Sequence, residues 1–219
     1  GGDDTEILLQ FPLAELHAFD MSYSVERAAK HLKDPRLVIS QANIYDIPYA
    51  DATFDIVYCH RVLQHTPNPV SALRSICRKV KPHGLLFAHA YKRSPKYMRE
   101  WRYKYRWLTK RLPIKWIYLY VNHLGPFLHN LNKILCIIPK GKMIAYRFVP
   151  FYMKNDINLS KKYQIELEKL VTFDAMTPWH DHPMTAEQFF GTIQDEGFKI
   201  RNQHDPETSP MWCTAVKNP

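Results

Sequence analysis

Cysteine is scarce in this chain, and the four present, Cys59, Cys77, Cys136 and Cys213, stand far apart with no C-x-x-C pair. That excludes a zinc ribbon and a dense disulfide framework, and it fits a reducing, cytoplasmic compartment. Long apolar runs are missing too. The nearest, Trp116 to Pro139, is broken by Asn122, His123, Gly125, Pro126, His129, Asn130 and Lys133, so no bilayer-spanning stretch is expected. There is no internal repeat and no low-complexity tract. The chain opens on Gly1-Gly2-Asp3-Asp4 without an initiator methionine, so the lack of a signal sequence decides nothing. Acid is nearly missing from one stretch: between Lys92 and Lys154 fifteen Lys or Arg residues stand with a single acid, Glu100. That window is +14 in a chain of +9, which leaves −5 for everything else. Any electrostatic partner belongs to this segment.

What is present reads as one α/β core with an insertion, the size that 219 residues at 46% hydrophobic content allow. Ile7, Leu8 and Phe11 recur at helical spacing until Pro12. Leu16 to Phe19 reads as a strand ending in Asp20, and Ser22 or Ser24 can cap a helix from about Val25 to Lys33. Further strands are expected over Leu37 to Gln41, Phe54 to Cys59 and Leu85 to His89. Pro69 starts a helix with Val70, Leu73, Ile76, Cys77 and Val80 on one face, closed by Pro82 and Gly84. Thr185 to Glu196 carries a capping box with Gln188 and ends at Gly197, and Phe198 to Asn202 with Met211 to Lys217 forms a hairpin. Strands alternating with helices predict βαβ units, in which ligands gather at the carboxyl ends of the strands. Asp20, Asn43, Cys59, His60, His89 and Tyr91 fall there.

Four pieces, in this order, carry a likeness: Gly1-Gly2, FDMS, ANIYDIPY, and FDIVYCHRVLQHTPNP followed by KPHG. The chain resembles class I S-adenosylmethionine-dependent methyltransferases of the seven-stranded type from Gly1 to about Tyr91, and again from about Phe173. The resemblance implies a Rossmann-like, mainly parallel sheet with a C-terminal antiparallel hairpin, the first strand missing, and a helical insertion after the fifth strand. The core would be residues 1–91 and 173–219, with 92–172 as insertion or lid. It implies S-adenosyl-L-methionine as cofactor, held by Gly1, Gly2, Asp20, Met21, Asn43, Ile44, Cys59 and His60. Asp20 would accept both ribose hydroxyls, though it can equally cap a helix. Met21 would lie on adenine, with Ile44 beside it. Asn43 departs from the family's usual aspartate and would accept through its amide oxygen. The family's first strand lies before Gly1 at the centre of the sheet. The chain is therefore expected to be N-terminally truncated within its glycine-rich loop, since a sheet without that strand leaves two edges unpaired.

The segment KRSPKYMREWRYKYRWLTKR interleaves Arg and Lys with Tyr and Trp, and the part after it is aromatic and aliphatic. This predicts a small or lipid-linked amphipathic acceptor and peripheral membrane contact through 92–154. RNA methylation is the rival that the same mixture supports, less so without a recognised RNA module, and a plain solvated lid is the third. Methyl transfer from a sulfonium is an in-line displacement, so a base is needed only for an acceptor with a proton to lose. His60, His89 and His182 are the catalytic candidates, His60 foremost and His180 beside them, and His65 is read as structural. Arg61 orients an anionic acceptor or pairs on the surface. His180 and His182 lack a third ligand, so no metal is expected. Two alternatives stay open. An NAD(P)-dependent oxidoreductase would use the same ribose acid, although no Tyr-x-x-x-Lys pair is present; a catalytically silent membrane- or partner-binding module would use neither.

Overall fold

The computed structural model describes residues 2–153, 159–205, 207 and 210–219. In chain order the elements are α1 (Asp3–Leu8), β1 (Leu16–Asp20), α2 (Ser24–His31), β2 (Leu37–Gln41), β3 (Phe54–Cys59), α3 (Pro69–Arg78) and β4 (Val80–Ala90). A helical insertion follows: α4 (Trp101–Thr109), α5 (Ile114–Ile137), α6 (Gly141–Phe148) and α7 (Lys161–Met176). The chain closes with α8 (Ala186–Asp195), β5 (Phe198–His204) and β6 (Met211–Lys217).

The strands form two sheets, and the gap between β1 and β3 falls where the sequence led us to expect the central strand to be missing. β1 and β2 pair in parallel, while the second sheet runs β3-β4-β6-β5, with β3 parallel to β4 and β6 antiparallel to both β4 and β5. No backbone pairing joins β1 to β3 among the described residues. Side chains bridge the gap instead. The His17 ring on β1 lies 5.5 Å from Phe54 on β3 and 5.1 Å from Tyr49, whose hydroxyl is 3.0 Å from His17 Nδ1. Ile56, in mid-strand on β3, is 53% exposed, as expected for a strand that nothing covers on that side.

The core lies on one face of the four-stranded sheet. Leu73, Ile76 and Cys77 of α3 and Phe189 and Ile193 of α8 pack there with Leu86, Ala88, Cys213 and Ala215. Strand alternation puts Tyr58, Phe87, Trp212 and His204 on the opposite face. Their rings form a ladder across all four strands, with centroids 4.8, 6.1 and 5.8 Å apart.

Three local expectations need correcting. Val80 does not close the face of α3: that helix ends at Arg78, and Val80 opens β4, buried opposite Phe54. Pro82, His83 and Gly84 form a bulge within a long strand, not a stop before a short one. His83 takes φ +63°, and a Cβ at Gly84 would stand 2.9 Å from the Asp55 carbonyl oxygen. Neither Ser22 nor Ser24 caps α2, because the residue in that position is Tyr23, without a side-chain bond. Asp20 Oδ1 takes the Ser22 amide at 2.7 Å, the two serine hydroxyls bond each other, and Ser22 Oγ, from one residue further out, accepts the amide of Ser24 at 3.3 Å. The Thr185–Gln188 capping box forms as the sequence predicts.

The insertion has its own apolar cluster, built from Trp101, Ile117, Val121, Leu128, Val149, Phe151, Ala175 and Met176. α7 runs unbroken through residue 173 and packs its last turn there. Between α5 and α7, His129 Nδ1 and Glu168 Oε2 meet at 2.6 Å with both side chains fully buried. The cysteines are free: Cys59, Cys77 and Cys213 are buried, and Cys136 on α5 is half-buried. No helix among the described residues is long and apolar enough to cross a membrane.

Candidate active site at the strand ends

β3 alternates until Cys59, which stays in the core, where burial pushes its thiol up to about 12. The thiol is therefore a packing group and not a nucleophile. The chain then bends sharply. Arg61 takes φ +60°, a strained conformation for a residue with a side chain, and Gln64 Nε2 holds its carbonyl at 2.8 Å. This bend carries His60 off the sheet. His60 Nδ1 meets Asp4 Oδ2 of α1 at 2.8 Å, and its ring stands 4.8 Å from His89, nearly perpendicular.

His89 lies on β4, on the face away from the α3 and α8 core, yet is only 4% exposed. Burial, helped by His60 and Arg61, holds its pKa down at about 4, so the ring is neutral at physiological pH. Its Nδ1 is buried without a hydrogen-bond partner. A buried polar atom without a partner, in a ring packed on a second histidine, calls for an explanation.

The rings of Tyr91 and His65 extend this wall, Tyr91 lying 6.1 Å from His89 and 6.0 Å from His65. The stretch before α8 returns to the same corner. The His182 amide donates to the Gln64 carbonyl at 2.7 Å, the Met184 amide to Tyr91 at 2.9 Å, and His65 Nδ1 meets the His180 carbonyl at 3.2 Å. His182 is thus tied in by its backbone, while its exposed ring packs against His180 at 5.5 Å. Burial and then His180 lower its pKa.

Over Tyr91 the insertion contributes a buried ionic cluster. The Arg102 guanidinium lies 5.0, 4.7 and 4.8 Å from the ring centroids of Tyr91, Tyr97 and Tyr103. Its Nε is 3.0 Å from Glu100, and Arg106 pairs with Asp181. Burial raises the Glu100 pKa to about 7, with the 2.5 Å hydrogen bond from Tyr152 opposing and Asp181 adding.

Asp20, Met21 and Asn43 gather on the other sheet. Asp20 is exposed at the end of β1, and Met21 beside it is 69% exposed, its carbonyl held by Gln41 at 2.9 Å. Asn43 is exposed, with Oδ1 taking the Tyr45 amide at 3.1 Å, which leaves its own amide to donate. Ile44 is buried in the core cluster, away from the exposed side chain of Asn43. Gly2 takes φ +103°, open to glycine, at the start of α1; Gly1 lies outside the described residues. Asp4 of α1, two residues after Gly2, bonds His60, and the Tyr45 hydroxyl, within 3.0 Å of the Asn68 backbone, fastens the loop that carries Asn43 to the start of α3. An exposed carboxylate beside an uncovered thioether side chain fits a ribose with a flat heterocycle.

The sequence reading missed Asp4 and the Glu100–Arg102–Asp181 cluster. The signal for the second was available, since a lone acid in a run of bases needs a reason.

Residues 1–88 match the family described as "Methyltransferase domain". The Ubiquinone biosynthesis O-methyltransferase of Pseudomonas fluorescens (strain SBW25) is 33% identical over 84 residues, which cover 38% of this chain and 32% of that protein. The chain thus spans about a third of the length of the curated relatives it matches. Among solved structures, the S-adenosylmethionine dependent methyltransferase from Mesorhizobium loti aligns with a TM-score of 0.57 at 11% identity, over 99% of this chain and 86% of that one. The 1,6-didemethyltoxoflavin-N1-methyltransferase of Burkholderia thailandensis, solved with S-adenosylhomocysteine, aligns with a TM-score of 0.50 at 12% identity, over 100% and 67%. At these identities the structures establish a shared fold.

Proposed function

Because residues 1–88 are a methyltransferase domain segment and the chain has the fold of the class I S-adenosylmethionine-dependent methyltransferases, we propose that it methylates a hydroxyl on a small amphipathic acceptor, with a lipid-linked molecule as the best-fitting class. The observation that carries this reading is the pairing of His60 with Asp4 on one side and with the buried, neutral His89 on the other. When bound, S-adenosylmethionine supplies an electrophilic methyl group. Asp20 accepts the ribose hydroxyls, Met21 lies on adenine, and the Asn43 amide and the backbone at Gly2 complete the donor side. His60 Nε2 takes the acceptor's proton while Nδ1–H donates to Asp4 Oδ2, which fixes the tautomer and stabilises the imidazolium. His89 Nδ1 orients the acceptor. Tyr91 and the residues of 92–172, extended to the end of α7, act as a lid that excludes water.

The relatives' name supports oxygen as the receiving atom, and the apolar surface of the insertion supports an amphipathic acceptor. Calorimetric titration of S-adenosylhomocysteine into the full chain and into Asp20→Ala tests the donor site, with NADH as the control. Saturable binding that the substitution weakens supports the reading. Binding of NADH instead turns it to an oxidoreductase, and binding of neither leaves a catalytically silent module.

A further inference from the structure

We infer that the outer face of α5, with the basic residues around it, docks on an anionic phospholipid bilayer. On α5, Trp116 and Ile134 stand about five full turns apart and share one line, with Phe127 between them on the same line. They are 62%, 62% and 63% exposed in the order Trp116, Ile134, Phe127. Ile137, 82% exposed and less than a quarter turn off that line, extends the apolar surface at the end of the helix, and Trp107 of α4 is exposed as well. Such a patch is far more than singly scattered apolar side chains.

Its charge surroundings select the partner. Lys110, Arg111, Lys115, Lys133, Lys140 and Lys142 are all exposed, and α5 carries no acid. Glu100, the only acid between Lys92 and Lys154, is 3% exposed and turned onto Arg102. The outward charge of this segment is therefore entirely positive. Acids return on α7, which packs against α5 on the side joined by His129 and Glu168, away from the exposed stripe. A helix with an aromatic and aliphatic outer line, lysines on its flanks and acids only behind it has the chemistry of an element lying in a headgroup layer. The charge and the rings of Trp116 and Phe127 would also suit RNA, but the line continues into Ile134 and the 82% exposed Ile137, which stack no base and suit an acyl layer. This inference rests on the surface alone and stands or falls apart from methyl transfer.

The test is flotation of the full chain with vesicles of phosphatidylglycerol and phosphatidylcholine, against phosphatidylcholine alone. Binding should require the anionic lipid and weaken with salt. The triple variant Trp116→Ser, Phe127→Ser, Ile134→Ser should lower partitioning about a hundredfold, and Lys115→Glu with Lys133→Glu should lower it as well. An unchanged far-UV circular dichroism spectrum shows that the variants fold, and S-adenosylhomocysteine titration of the triple variant reads the donor site separately. Vesicle binding that survives the triple variant overturns the inference, as does binding without preference for anionic lipid or none at all. So does capture of single-stranded RNA in place of vesicles, or a dimer in solution that the triple variant dissociates.

Discussion

The sheet core and the helical insertion bury their interiors by opposite means. Between the sheet and α3 and α8 the filling is aliphatic and small, with Leu73, Ile76, Ile193, Ala88 and Ala215 at or near zero exposure. The insertion buries a His129–Glu168 pair and a Glu100–Arg102–Arg106–Asp181 cluster beside its aromatic rings, and turns much of its apolar surface outward. The first kind of interior tolerates changes of shape but leaves little to position a substrate. The second fixes geometry through pairs that must be complete, because an unmatched buried charge is costly.

The largest expected effect tests which region carries the chemistry. His60→Ala should cut turnover about 10² to 10⁴-fold with little change in S-adenosylhomocysteine affinity by calorimetry. Loss of both together would make His60 a structural residue. Next, Glu168→Ala should destabilise the insertion by about 3–5 kcal/mol in urea unfolding. His129→Leu with Glu168→Met should restore most of it, since the imidazole is then not left buried without its partner. If the double variant is as unstable as the single, the pair's worth lies in packing and the contrast with the sheet core dissolves.

The smallest effect is in pH, where the two regions have opposite signs. His89 has a folded pKa of about 4, below the ordinary 6.5, so the unfolded chain takes the proton first. Its contribution is complete above about pH 6.5 and is lost as pH falls toward 4. Glu100 is held up near 7 from 4.5, so its contribution is complete below about pH 4.5 and is lost as pH rises through 7. Each is worth at most about 3 kcal/mol, and in the wild type they offset one another. Urea midpoints from pH 4 to 7.5 should therefore slope downward with acid in Glu100→Gln and downward with alkali in His89→Leu. Parallel slopes in the two variants would show that neither group titrates as described.

The same contrast explains what the sequence made legible. The βαβ order, the Phe54–Cys59 strand, the capping box at Thr185 and the closing hairpin follow from period and capping signals within a few residues, and they stand in the structure. The start of β4 was misplaced because Pro82 and Gly84 mark a bulge as readily as a break. The division into two sheets agrees with the expected missing central strand, which leaves the facing edges of β1 and β3 unpaired. Of the residues the sequence put at strand ends, the structure brings the rings of His60 and His89 within 4.8 Å of each other. Asp4 was not among those residues, because it reaches His60 across 56 positions, and Asp181 reaches Arg106 across 75. Ile44 shows the reverse failure, an apolar residue beside a loop that the core claims.

The uneven burial of the four thiols gives the molecule a built-in clock. Cys136 sits half-buried on α5, whereas burial pushes the thiols of Cys59 and Cys213 up to about 12 and raises Cys77 as well. An alkylating reagent therefore reads Cys136 ahead of the other three, which react only when the sheet core opens, so the fast phase calibrates the reagent and the slow phase times the opening of the core.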